Sequence, residues 1–126
     1  KPYVLCVGRK VPGKGSDITL EHYGHMLRDN LLPPALDLVL IGDGELDVPD
    51  YVKHRVHSIK CPDNDTVYSA MAGAVMLIQA SRLESFSIVM MEAWLNGRPV
   101  LVNGDCAVTR HQAGCGLKTI THSRKL

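Results

Sequence analysis

Five short strand-like runs, four of them mainly apolar and one, Val56–Ile59, weak, constrain this chain more than anything else in it. They are Tyr3–Val7, Leu36–Ile41, Val56–Ile59, Ala74–Ile78 and Pro99–Val102. A half-buried strand alternates apolar and polar residues, whereas a strand covered on both faces is apolar throughout. Helical signals fill the intervals between the runs. Ser16 and Asp17 are good caps for a helix from Ile18 to about Leu32, which Pro33-Pro34 stops. Asp63 or Asn64 caps a second helix running to about Gly73. A third is expected from about Phe86 to Asn96, ended by Gly97 with Pro99 beyond it. Strands alternating with helices imply a parallel sheet wound on two faces, a Rossmann-like α/β domain.

The length of 126 residues fits one such domain. The expected bounds are residues 1–118, with 119–126 a truncated or irregular tail, because Thr119 to Leu126 is polar and basic. A net charge of +1 gives no bulk attraction to nucleic acid or an anionic membrane. There is no run of eighteen apolar residues, so no membrane-spanning segment is expected, and the first residues carry no signal peptide. Cys6, Cys61, Cys106 and Cys115 form no CxxC pair and read as reduced thiols, which points to the cytoplasm. Cys106, His111 and Cys115 lack a fourth ligand and match no zinc spacing, so no metal site is expected. Asn64-Asp65-Thr66 has the form of a glycosylation sequon, but without a secretory signal it carries no weight.

In a doubly wound sheet ligands gather at the carboxyl ends of the strands. Those ends fall at Gly8–Gly15, Gly42–Glu45, Cys61–Asp65, Gln79–Ser87 and Asn103–Thr109. The first loop offers glycines that let backbone approach a ligand, with Arg9 and Lys14 as cations suited to phosphate oxygens. It is not a Walker loop, since no Ser or Thr follows Lys14, and it lacks the GxGxxG fingerprint. It also lacks the acidic cluster that a receiver domain carries after its first strand. Glu84 precedes the third helix, whose free amides near Ser87 and Ile88 favour an anion. That helix is apolar on nearly every side and is expected to be buried, so Glu92 needs a partner there. The partner is either a cation such as Arg98 or the hydroxyls of a ligand.

In this order the pieces resemble the carboxyl-terminal, donor-binding domain of group 1, retaining, GT-B type glycosyltransferases, from Tyr3 to about Leu117. Val7-Gly8-Arg9 with Lys14-Gly15 is similar to that family's GR…KG loop. Val39-Leu40-Ile41-Gly42-Asp43-Gly44 is similar to its second-strand turn, Glu84 and Glu92 stand as E-x7-E, and Ala93 to Leu101 is similar to its EA…G.PV segment. The resemblance implies a nucleoside-diphosphate sugar as substrate, UDP- or GDP-linked in type, and a transfer that retains anomeric configuration. It implies that Arg9 and Lys14 hold the diphosphate and stabilise its departure, that Glu84 contacts the donor sugar, and that Glu92 binds the ribose. Gly8, Gly42, Gly44, Ser85, Phe86, Ser87 and Ile88 complete the implied donor site, and the loop around Lys60 to Asp63 cradles the base. No cofactor or essential metal is implied, because the protein's own cations neutralise the leaving group.

Ser85 and Ser87 stand where the family often has glycine. The family's amino-terminal acceptor domain is not part of these residues, so it would come from further chain in cis or from a partner chain. Turnover by this domain alone is not expected, and surfaces normally covered by the partner would favour self-association. The alternative function is a non-catalytic α/β module that binds nucleotide or phosphate, or a partner subunit.

Overall fold

A computed structural model describes residues 1–12, 14–60, 63–81, 88–103, 106, 110, 111, 114 and 119–122, the last four through their main chain. The described chain runs β1 (Tyr3–Val7), α1 (Ser16–Arg28), β2 (Asp37–Ile41), a 3-10 helix (Asp50–Arg55), β3 (Val56–Ile59), α2 (Asn64–Gly73), β4 (Met76–Gln79), α3 (Ile88–Leu95), β5 (Val100–Asn103) and β6 (Thr119–His122). The strands form one sheet in the order β3-β2-β1-β4-β5-β6. Every pairing is parallel, with Leu5 opposite Val39 and Leu77, and Leu77 opposite Val100. This is the doubly wound, Rossmann-like α/β fold. Strand order reverses between β1 and β4, and the crevice of such a sheet opens at that reversal.

The continuous apolar strands are explained by cover on both faces. Leu5, Ile41, Leu77, Val100 and Val102 pack beneath Met71 of α2 and Met90 and Ala93 of α3. Val4, Cys6, Leu38 and Leu40 pack on the other face against Leu20 and Tyr23 of α1 and Val52 of the 3-10 helix. Successive residues of β1 and β2 therefore serve opposite layers. Each fully buried leucine contributes about 2 kcal/mol through area removed from water.

The helix ends show where local sequence and tertiary contact disagree. Asp63 caps α2, accepting from the Thr66 amide at 2.9 Å, as its position in sequence predicts. For α1 the caps predicted were Ser16 and Asp17, but the helix begins at Ser16 and its cap is Gly15, in a left-handed conformation with φ 92°. A β-carbon at Gly15 would stand 2.6 Å from the Ala80 carbonyl carbon and the Ser81 nitrogen. Packing against the end of β4 thus selects the start of α1, and Ser16 is buried with its hydroxyl 3.9 Å from Cys6 Sγ. The helix also ends earlier than predicted, at Arg28, and Asn30 follows with φ 56°.

Two further expectations change. The third helix is not buried all round: Ile88, Met91 and Leu95 are 64%, 45% and 86% exposed. Only Met90 and Ala93 of α3 are fully buried, because one layer of sheet can cover one side of a helix. In the stretch expected to be irregular, Thr119–His122 forms β6, pairing with Val100–Asn103. Parallel pairing is a main-chain interaction, so polar side chains do not forbid it. Among the described residues no helix is long and apolar enough to cross a membrane.

Candidate functional site at the carboxyl ends of the strands

The loops that follow β1, β2 and β3 are joined to one another by backbone. The Gly8 amide donates to Ile41 O at 2.9 Å, the Lys10 amide to Asp43 O at 2.7 Å, and the Gly42 amide to Ile59 O at 2.9 Å. Gly42 and Gly44 have φ of 148° and 104°, values that side-chain-bearing residues rarely adopt. A β-carbon on Gly42 would lie 1.8 Å from Gly8 O, and one on Gly44 would lie 3.0 Å from Lys10 O. These glycines are therefore needed for the loops to touch. No atom of another described residue lies within 4 Å of a β-carbon built on Gly8.

The predicted residues are distributed as follows. Gly8, Arg9, Gly42 and Gly44 are brought together by the contacts just described. The Arg9 side chain is exposed and makes no ion pair or hydrogen bond to another described residue. Lys14 is half-buried and immediately precedes Gly15, whose packing on Ala80 and Ser81 carries the loop to the end of β4. The Asn103 amide reaches Ala80 O at 3.3 Å, so the end of β5 is tied to the same point. Ile88 begins α3 and its side chain is exposed. Glu92 is half-buried, one turn further along α3. Arg98, a candidate partner for it, instead donates to Ala72 O at the end of α2. Glu84, Ser85, Phe86 and Ser87 lie outside the described residues, as do Cys61 and Cys115.

Sequence reasoning missed Lys10. Its side chain is buried, and Nζ donates to Gly42 O at 2.8 Å and Ile59 O at 3.1 Å. Burial pushes its pKa down and Lys60 adds to that, while Asp43 and Glu45 pull it up. A lysine beside Arg9 in a loop carries no signal that it turns inward. Lys60 forms an ion pair with Glu45 between the ends of β2 and β3, and that pair holds the Glu45 carboxyl below its ordinary range.

Two other features lie apart from these loops. A groove of about 220 Å³ between α1 and the segment after β2 is lined by residues including Asp17, Glu21, His25 and Asp47, and by none of the predicted site residues. At the amino ends of β2 and β3, the buried Asp37 carboxylate faces His57 at 2.8 Å, Lys1 at 3.2 Å and Arg55 at 3.6 Å. Among the described residues no three His, Cys, Asp or Glu side chains stand close enough to hold a metal.

The arrangement offers an exposed guanidinium, a half-buried ammonium and glycine backbone at one end of a parallel sheet. Known proteins with this fold include glycosyltransferases. The chain superposes on WaaG, a glycosyltransferase involved in lipopolysaccharide biosynthesis, with a TM-score of 0.69 at 26% identity, covering 99% of this chain and 35% of that one. It superposes on Alr3699/HepE of Anabaena, solved in complex with UDP-glucose, with a TM-score of 0.67 at 22% identity, covering 86% and 31%. A chain of the GtfA/B complex gives a TM-score of 0.73 at 18% identity, covering 100% and 26%. The chain thus spans about a third or less of the length of these proteins. No curated protein matches it in sequence. The family model for glycosyl transferases group 1 matches residues 1–119. With nearly its whole length matched, the chain belongs to the group 1 glycosyltransferases.

Proposed function

We propose that this chain is the donor-binding, carboxyl-terminal half of a GT-B type glycosyltransferase and that it takes a nucleoside-diphosphate sugar. The observation that carries the reading is the joined loop pair Gly8–Lys10 and Gly42–Gly44, which presents the exposed Arg9 at the carboxyl end of the sheet.

In this reading Arg9 and Lys14 contact the diphosphate. When the bond from the anomeric carbon to the diphosphate oxygen breaks, its electron pair leaves with the diphosphate. The two cations offset the charge that develops there, which is transition-state stabilisation by groups already in place. The amide of Ile88 at the head of α3 adds a fixed partial positive charge. Glu84 orients the donor sugar through its hydroxyls, Glu92 holds the ribose, and the loop from Lys60 to Asp63 receives the base. Transfer proceeds with retention. The acceptor side of the cleft comes from further chain or a partner chain, and the isolated domain does not turn over. Cys6 and Cys106 are buried as thiols, which fits a cytoplasmic setting.

A second reading, a nucleotide-binding or partner subunit without catalysis, is favoured by one observation. Ile88, Met91 and Leu95 form an exposed apolar stripe on α3 that suits burial against another polypeptide. Calorimetric titration of the chain with UDP, GDP, ADP and their sugar conjugates, beside Arg9→Ala and Glu92→Ala, separates the two. Selective binding of one diphosphate, weakened by both substitutions, is expected. Absence of binding by the folded chain would overturn the donor reading.

A further inference from the structure

Lys10 sits between the two residues usually reached by inspection of such a loop, yet it faces the other way. Arg9 is exposed and Lys10 is 5% exposed. The buried ammonium bridges Gly42 O, which follows β2, and Ile59 O, which ends β3. Ile59 O also accepts from the Gly42 amide, so one carbonyl receives both a backbone and a side-chain donor. The Lys10 amide is meanwhile fixed on Asp43 O at 2.7 Å. One residue therefore ties the loop after β1 to the loop after β2 through its backbone, and to the ends of β2 and β3 through its side chain.

The consequence falls on Arg9. Its two neighbours in sequence are both held: Gly8 by Ile41 O and Lys10 by Asp43 O and its buried ammonium. The main chain of Arg9 is thus fixed in the frame of β2 and β3 although its side chain is in solvent. A cation held ready in position binds an anion more tightly than one that must be ordered on binding. The burial of the ammonium, opposed by Asp43 and Glu45, gives a charge–dipole contact little weakened by water.

We infer that Lys10 is a positioning residue for the donor site: it sets where Arg9 stands relative to the ends of β2 and β3, and so couples the diphosphate side of the cleft to the base side. This rests on the donor-binding reading above. A hydrophobic residue of the same length, as in Lys10→Met, fills the space and lacks the donors. Lys10→Arg keeps both charge and donors.

The experiment is calorimetric titration of wild type, Lys10→Met, Lys10→Arg and Arg9→Ala with UDP, GDP and ADP. Amide hydrogen exchange at residues 8–10 and 42–44 is followed in the same samples. Leu20→Ala, buried in the opposite layer, controls for loss of stability alone. Lys10→Met is expected to weaken binding of the preferred diphosphate about 10- to 100-fold, as small misplacements of a site do. Exchange should rise at those loop amides and not in β1 or β4. Leu20→Ala should bind as wild type does, and Lys10→Arg should recover part of the loss. If Lys10→Met does not fold, Lys10→Gln, shorter and uncharged, takes its place, and wild-type exchange and affinity in that folded variant overturn the inference. If wild type binds and Arg9→Ala does not, while Lys10→Met binds like wild type, only the Lys10 assignment falls. If the folded wild-type chain binds none of the three, the donor reading falls and the Lys10 inference with it.

Discussion

The backbone of Gly8 occupies the place where a side chain on residue 42 would begin: a β-carbon at Gly42 would lie 1.8 Å from the Gly8 carbonyl oxygen. The loops after β1 and β2 can meet only because residue 42 has no side chain and holds a φ of 148°. Gly42→Ala must therefore displace backbone. A loss of about 3 kcal/mol is expected, combining steric displacement with a disfavoured dihedral. Urea unfolding checks it. Gly97→Ala, whose β-carbon would meet no other described residue within 4 Å, isolates the dihedral contribution at a φ of 70° and should cost less.

Arg9 contributes little to folding, since its side chain is in solvent. Arg9→Ala is expected to leave the unfolding midpoint within about 0.5 kcal/mol of wild type. Loss of charge-assisted hydrogen bonds to a diphosphate should nonetheless cost about 1.5–3 kcal/mol of binding, which calorimetry reads directly.

The two sides of α3 should respond in opposite ways. Met90 is fully buried against the sheet, and Met90→Ala is expected to cost about 2–5 kcal/mol. Leu95 is 86% exposed, and Leu95→Ala should change stability by about 0.5 kcal/mol or less. Ile88, Met91 and Leu95 lie on one stripe, so charged replacements at Ile88 and Leu95 should reduce self-association in sedimentation at high concentration without loss of fold.

Asp37 makes stability depend on acid. Burial pushes its carboxyl up, but hydrogen bonds from His57 and Lys1 outweigh that and hold it below its ordinary value. A group whose pKa is lower in the folded state stabilises the fold above its unfolded pKa, about 3.9. That contribution is lost as pH falls from there through the depressed folded value. Asp37→Asn should flatten the stability profile below about pH 4. It should also lower stability at pH 7 by about 2 kcal/mol, less than a fully orphaned buried charge, because Arg55 keeps Pro33 O and Leu36 O as acceptors. Urea midpoints at pH 7, 4 and 3 compare the two chains.

The sequence by itself determined five of the six described strands and most of their covering. Continuous apolar runs at Tyr3–Val7 and Leu38–Ile41 are what a strand covered on two faces requires, and Asp63 placed before Asn64-Asp65-Thr66 is a local capping signal that needs no distant partner. Gly8, Arg9, Gly42 and Gly44 were legible as loop residues at strand ends, because strand order and direction put such loops on one edge. What only the tertiary structure decided depends on contacts between residues far apart in sequence. Gly15 rather than Ser16 caps α1 because Ala80 and Ser81 lie against it. Lys10 turns inward because two carbonyls, 32 and 49 positions away, accept its protons. The apolar helix α3 leaves Ile88, Met91 and Leu95 in solvent because the sheet reaches only one of its sides. Periodicity and capping are written within a few residues of chain, whereas burial of a charge or exposure of a leucine is set by what the fold brings alongside.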